Sequence, residues 1–299
     1  MGTVSAILVR KGAVDKENTR TYSVKGILTA LGKSLLYLLF FLAVQLLAGI
    51  LYAAVASLSP GGADTENILA GTETAVLLSY LLTAAAVLLW FRLRHRPLGE
   101  AAGLRRCSGW TAAFCAFCAV GLFVVVQLAL TLLPATWMTG YNDHMERLLS
   151  NGLIPALSIA VAAPLTEELM FRGVIQPRLE RAMPVWAAVV VQAVLFGVTH
   201  GTPIQMVYAF LLGLVFGFLR SRTGSILPGF AAHAAFNAMN DPLGLFGDAA
   251  ESGYALAVMA AVSIAGCVLC RRGLASLAAS VEQEARGTDS HASVSTGSE

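Results

Sequence analysis

Eight stretches of this 299-residue chain are apolar over lengths that reach or approach a bilayer crossing: 34–58, 72–91, 110–133, 153–172, 184–200, 204–219, 225–240 and 252–270. A spanning segment needs roughly 20 apolar residues to cross a hydrocarbon core of ~30 Å, and it is helical because no water reaches its backbone and every N–H and C=O must be bonded within the segment. The fold class that follows is all-α, a polytopic transmembrane bundle of about eight spanning helices. The middle stretches are short and interrupted by polar residues, which leaves a count of seven open. Composition agrees, with 57% hydrophobic and only 13% charged residues, about half the charged share of a soluble domain.

Basic residues set the orientation, since loops on the cytoplasmic side collect Lys and Arg. With the N-terminus inside, the inner segments hold Arg10, Lys11, Lys16, Arg20, Lys25 and Lys33, then Arg92, Arg94, Arg96, Arg105 and Arg106, then Arg172, Arg178 and Arg181, then Arg220 and Arg222, and last Arg271, Arg272 and Arg286. Only Arg147 falls outside. The expectation is a multi-pass cell-membrane protein with both termini cytoplasmic. It divides into an N-terminal segment over 1–33, a helical membrane domain over 34–272 and a disordered tail over 273–299, the tail being rich in Ser, Ala, Gly and Glu. The first 33 residues carry no apolar core or cleavage site, so no cleavable signal peptide is expected.

The net charge of +2 is too small to suggest nucleic acid, and the basic clusters flank apolar runs, so nucleic acid is set aside as a partner. Two CxxC pairs, 115–118 and 267–270, lie within apolar runs. Spacing of three puts each pair on one helical face. A four-thiolate site between two helices is one reading; buried cysteine as a small packing residue is the simpler one.

"PLTEELMFRG" at 164–173 sets three charges inside a spanning stretch. Each costs on the order of 2.5–3.5 kcal/mol at a helix centre unless paired, protonated or wetted. Glu168 and Arg172 are one turn apart, acid first, the favourable order for a pair. Glu167 is rotated about 100° away and is not served by that arginine. Three residues earlier, Pro164 lacks a backbone donor and crowds the carbonyl of Ala160, which kinks a helix and frees a polar group. Such a break is tolerated at depth only beside protein or a wet cavity.

Two histidines fall in apolar runs, His200 at the end of "FGVTH" and His233 at the start of "HAAFN", with Asn237 one turn further on. Counting ~1.5 Å per residue from the expected helix ends places Glu167 about 22 Å, His200 about 24 Å and Asn237 about 18 Å from the inner surface, with His233 nearer 12 Å. The expectation is a shared level for the first three.

The ordered set "EELMFR" (167–172), "FGVTH" (196–200) and "HAAFN" (233–237) resembles the CAAX protease and bacteriocin-processing family of intramembrane proteases, whose pattern is EExxxR, FxxxH and HxxxN or HxxxD. The lead-in "LLGLVFGFLRSRTGSILPGF" fits as well, and the similarity covers a protease-like core at about 153–240. The resemblance implies an endopeptidase acting on membrane-associated or lipidated proteins or peptides. It implies that Glu167 activates water together with His200, while His233 and Asn237 stabilise the oxyanion. Glu168 and Arg172 would then be a structural ion pair. A carboxylate in an apolar cavity is a better general base than a solvated one, and donors aimed at the developing charge are worth ~10²–10³ in rate each.

Members of the family are often called metalloproteases. Glu167, His200 and His233 would make a His₂Glu zinc set with a fourth position for water, but neither histidine sits in an HExxH arrangement. Glutamate-based catalysis is favoured and Zn²⁺ stays open. A competing reading is a non-catalytic membrane immunity or scaffold protein that uses the same polar cluster to hold helices together. A proton-coupled transporter is disfavoured by the lack of repeat symmetry.

Overall fold

The computed structural model describes residues 21–58, 65–95, 103–148, 152–240 and 253–295. Among them there is no strand, and nine helices follow in order: α1 Val24–Ser57, α2 Thr65–Leu93, α3 Gly109–Leu130, α4 Ala135–Leu148, α5 Leu153–Glu180, α6 Val185–Gly197, α7 Pro203–Thr223, α8 Leu227–Ala238 and α9 Gly253–Ser295. The protein is an all-α polytopic helical bundle.

The eight apolar stretches each form a helix, yet six, not eight, are long and apolar enough to cross a membrane: α1, α2, α3, α5, α7 and α9. Helices α6 and α8 have 13 and 12 residues. At 1.5 Å per residue these reach only about 20 Å, short of a hydrocarbon core of ~30 Å. Their apolarity reflects burial against neighbouring helices as much as contact with lipid, which a hydropathy reading does not separate.

Three further differences concern helix limits. α1 starts at Val24, ten residues before the expected apolar limit of 34, because "VKGILTALGK" over 24–33 holds no proline to stop the helix. The stretch over Ala135–Leu148 forms an amphipathic helix, α4, where no element was expected. The backbone of α9 runs past residue 272 to Ser295 through "LASLAASVEQEA", a segment of strong helix formers. Most of the N-terminal segment, residues 1–20, lies outside the described residues.

Lipid-facing and protein-facing surfaces separate along the helices. On α1, Leu35, Leu36, Leu39, Leu46, Leu47 and Ile50 are exposed, as an element bordering hydrocarbon requires. More than half of the most apolar window of α5 is buried, against a third or less in the other long helices, so α5 is the axis of the bundle. It packs against α1, α2, α6, α7 and α8.

The core forms two apolar clusters. One joins α1, α2, α5 and α6 around Phe41, Phe91, Phe171, Ile175 and Phe196. The other joins α3, α7, α8 and α9 around Phe123, Phe216, Phe236 and Met259. Polar side chains stitch neighbouring helices where no water can serve them. The hydroxyl of Ser79 on α2 donates to Oε1 of Gln45 on α1. Ser263 Oγ on α9 donates to the Phe117 carbonyl of α3 at 2.7 Å.

Candidate active site

Helix α5 is not uniformly α-helical. Two π-helical segments, Ser158–Ala162 and Glu168–Ile175, flank the short α-helical piece that ends at Glu167. Pro164 accounts for the first. It has no N–H to return, so Ala163 N–H bonds to Ser158 O instead, and a carbonyl is released nearby. The released group that finds a side-chain partner is Ile159 O, which accepts from Asn237 Nδ2 at 3.0 Å. The kink expected at Ala160 is thus taken up as π geometry one residue away, sealed by α8.

The three intramembrane charges of α5 are brought together with His233. Arg172 Nη1 donates to Glu168 Oε1 at 2.9 Å, and both side chains are fully buried. His233 stands across the pair, with Nδ1 3.3 Å from Glu168 Oε1 and Nε2 3.6 Å from Glu167 Oε2. The Glu167 side chain keeps 13% of its surface exposed. One imidazole therefore links two adjacent carboxylates of one helix. Gly229, one turn before His233 on α8, permits this approach, since a Cβ there would lie 2.8 Å from Glu168 Oε2.

Aromatic rings from both core clusters wall the group in. His233 stacks on Phe216 at 5.0 Å and meets Phe196 edge-on at 5.7 Å. The Arg172 guanidinium lies 4.4 Å from the Phe196 ring and 5.3 Å from that of Phe216. Such cation–π contact offsets part of the cost of burying the charge. The site occupies the seam where the two clusters meet.

His200 follows the early end of α6. Its Nδ1 lies 3.0 Å from Phe196 O. A carbonyl only accepts, so Nδ1 carries the proton and Nε2 is left with its lone pair. Its ring packs edge-on against Phe196 at 4.9 Å, so His200 and His233 share one phenyl ring. Thr199 Oγ1 also donates to Phe196 O, at 2.6 Å, which serves the end of a helix that stops inside the bundle.

The vertical alignment differs from the one expected. His233, not Asn237, stands level with the two glutamates, while Asn237 meets Ile159, eight residues before Glu167. The cause is the start of α8. Ser225 and Ile226 are buried, and Ile226 N–H is bonded to Gly103 O at 2.9 Å. The helix therefore begins within the bundle and not at its surface.

A polar row continues along α5 beyond the acids. Glu168, Arg172, Gln176 and Glu180 recur every four residues, and the last three reach α7. Arg172 Nη2 reaches Gly213 O at 3.4 Å. Gln176 Nε2 lies within 2.9 Å of Gly217 O, Glu180 Oε1 and Ser221 Oγ. Gln192 of α6 donates to Gly213 O at 2.8 Å. The small residues of "GLVFG" are what let these helices close up, since a Cβ on Gly213 would stand 3.0 Å from Ala193 Cα. Gln176, Gln192 and Ser221 escaped the sequence reading, although the four-residue spacing of the α5 row was visible in it.

As to a metal, no three His, Cys, Asp or Glu side chains converge as a metal-holding group among the described residues. Glu167 and His233 meet, but His200 does not close the set, so Glu167, His200 and His233 in this arrangement do not fit a three-ligand zinc site. The two CxxC pairs face each other across α3 and α9, with Cys118 Sγ 3.5 Å from Cys267 Sγ, and all five cysteines are free thiols.

No curated protein and no solved structure matches the chain. Residues 149–239, just under a third of the chain, match the family model described as type II CAAX prenyl endopeptidase Rce1-like. That segment contains Glu167, Glu168, Arg172, His200, His233 and Asn237, and the match supports the CAAX protease family that the three motifs resemble, with an intramembrane CAAX-type endopeptidase as its general activity.

Proposed function

We propose that the protein is an intramembrane endopeptidase in which Glu167 is the general base. The observation that carries this reading is that Glu167 is the carboxylate of the pair not bound to Arg172, facing His233 Nε2 at 3.6 Å, while the opposite ring nitrogen is held by the Glu168–Arg172 pair. Glu167 takes a proton from water as the water oxygen attacks the scissile carbonyl carbon. The His200 Nε2 lone pair helps to orient that water. His233, and the Asn237 hydrogen not used on Ile159 O, donate to the resulting oxyanion. The C–N bond then breaks, and Glu167 passes its proton to the departing amine.

Glu168 and Arg172 position His233 and do not touch substrate. The substrate class that goes with the family is a membrane-associated or lipidated protein or peptide. Both termini are assigned to the cytoplasmic side. The gathering of Lys33, Arg94, Arg178 and Arg181 at one end of the bundle supports that side as the inner one.

The test is cleavage of a lipidated CAAX peptide by the full-length protein reconstituted in vesicles. Glu167→Gln keeps shape and hydrogen bonding but removes the base, and is expected to lower the rate by at least about a hundredfold at equal protein level. A variant that cleaves at the wild-type rate would remove Glu167 as the base. The non-catalytic reading gains if Glu167→Gln, His200→Ala and the wild type are all inactive while the membrane protein keeps its biological effect.

A further inference from the structure

The candidate site is closed towards one end of the bundle and open towards the other. From Glu168 to Gln176 every residue of α5 is buried, and Phe196 and Phe216 beside them are at most 1% exposed. That stretch plugs the side on which Lys33, Arg94 and Arg178 gather. Glu167 keeps part of its side chain exposed, and His200 and Asn237 are half-buried. Helices α6 and α8 run antiparallel to α5 and stop near this level, α6 at Gly197 and α8 at Ala238, where Asn237 meets Ile159. Since α5 starts at Leu153, six residues before Ile159, it rises about 9 Å past that meeting point.

The space left above the ends of α6 and α8 is covered by α4. Its inward side is Met138, Tyr141, His144 and Met145. His144 lies against Gly201, the residue after His200, so closely that a Cβ on Gly201 would run into the imidazole. Tyr141 is buried and meets Tyr208 of α7 edge-on at 6.4 Å, and Tyr208 lies 6.2 Å from Phe236 of α8. Thus α4 is fitted both to the turn that carries His200 and to the helix that carries His233 and Asn237.

Beneath α4, a groove of about 790 Å³ runs between α3, α8 and the start of α9. Met138, Met145 and Met239 line it, flexible side chains that repack around unlike partners. Gln127, Asn142 and Asn240 add carboxamides, which pair with both the N–H and the C=O of an extended backbone. Asn240 joins the groove to the site: it stands one turn past Asn237, and its Nδ2 donates to the Asn237 carbonyl at 3.2 Å. Glu146 is the one charged residue among the described residues that line the groove. It repels a free carboxylate at the end of a peptide and suits the stretch ahead of the cleaved bond.

We propose that this groove seats the substrate as an extended stretch of polypeptide on the amino side of the cleaved bond, with α4 as its roof. The chain reaches Glu167 past Asn240 and Asn237, from the end of the bundle opposite Lys33, Arg94 and Arg178. An extended backbone brings an unpaired N–H and C=O at every residue, which a purely apolar groove would not serve. The inference rests on the protease reading for the role of Glu167, whereas occupation of the groove needs no turnover.

The experiment is photo-cross-linking in vesicles of the full-length Glu167→Gln protein. The probe is a lipidated CAAX peptide with benzoylphenylalanine two residues ahead of the lipid-bearing cysteine, and adducts are mapped by mass spectrometry. Adducts are expected on Met138, Met145 or Met239, and excess unlabelled peptide should remove them. In cleavage by the protein with Glu167 intact, Met145→Trp is expected to raise KM at least about tenfold with a smaller change in kcat. Leu36→Trp, at the basic end, should leave both unchanged. Adducts confined to α1, α2 or the basic end of α5 overturn the proposal, as do adducts that excess peptide does not remove or an unchanged KM in Met145→Trp. Competed adducts in the groove beside a wild type that cuts no peptide would uphold the docking surface and remove the protease reading instead.

Discussion

His233 and Glu168 meet at 3.3 Å through Nδ1 and Oε1, and that same oxygen receives Arg172 Nη1 at 2.9 Å. One carboxylate oxygen thus holds a buried guanidinium and an imidazole from different helices. The Glu168→Gln substitution takes from Arg172 the one carboxylate it is hydrogen-bonded to, in a fully buried position. Breaking a buried pair in this way costs about 3–5 kcal/mol. Thermal unfolding of the purified protein in detergent should show a clear drop in midpoint, larger than that of Glu167→Gln. Equal midpoints for the two variants would mean that the pair does not hold the site.

Gly229 separates stability from geometry. A Cβ there would approach Glu168 Oε2 to 2.8 Å and the neighbouring carboxyl carbon to 3.5 Å, so Gly229→Ala must push α8 or the carboxylate aside by a few tenths of an ångström. His233 moves with α8. Peptide cleavage is expected to fall by about tenfold to a hundredfold, since misplacement near an ångström is costly in rate. Far-ultraviolet circular dichroism should remain helical. Full activity in the alanine variant would show that the His233 contact tolerates looser packing.

Asn237 braces α5 and, in the proposed reaction, would also serve the oxyanion. Its Nδ2 satisfies Ile159 O, a carbonyl next to the π segment ahead of Pro164. In Asn237→Ala that carbonyl loses its partner, at about 1–3 kcal/mol, and the oxyanion loses a donor, at about 10²–10³ in rate. Measuring the unfolding midpoint and the cleavage rate on the same preparation distinguishes the two roles. A stability loss with an unaltered rate would confine Asn237 to bracing α5.

The contact between α3 and α9 has a direct chemical reporter. Cys118 and Cys267 stand with their sulfurs 3.5 Å apart, whereas Cys115 and Cys270 are buried one turn away on their own helices. Mild oxidation with a copper–phenanthroline complex should form an intramolecular disulfide in the wild type, seen as a mobility shift that is reversed by thiols. Neither Cys118→Ser nor Cys267→Ser should show the shift. Cross-linking that survives in both would assign a different packing to α9.

The sequence by itself determined what depends on near neighbours along the chain. Hydropathy over about 20 residues placed every apolar helix. Spacing of four identified Glu168 and Arg172 as a pair and separated Glu167 from them, because one turn of helix fixes those directions whatever surrounds it. The order of the three motifs singled out Glu167, His200, His233 and Asn237 in a segment that the family comparison also covers. The tertiary structure alone decided how the helices stand against each other. It set His233, and not Asn237, beside the glutamates, because α8 begins inside the bundle at the buried Ser225 and Ile226. It gave Asn237 the carbonyl of Ile159, and it left α6 and α8 too short to cross the bilayer. Helical periodicity fixes angle and rise within one helix; the offset between two helices comes from side-chain packing and from where buried polar groups find partners, and no local pattern encodes it.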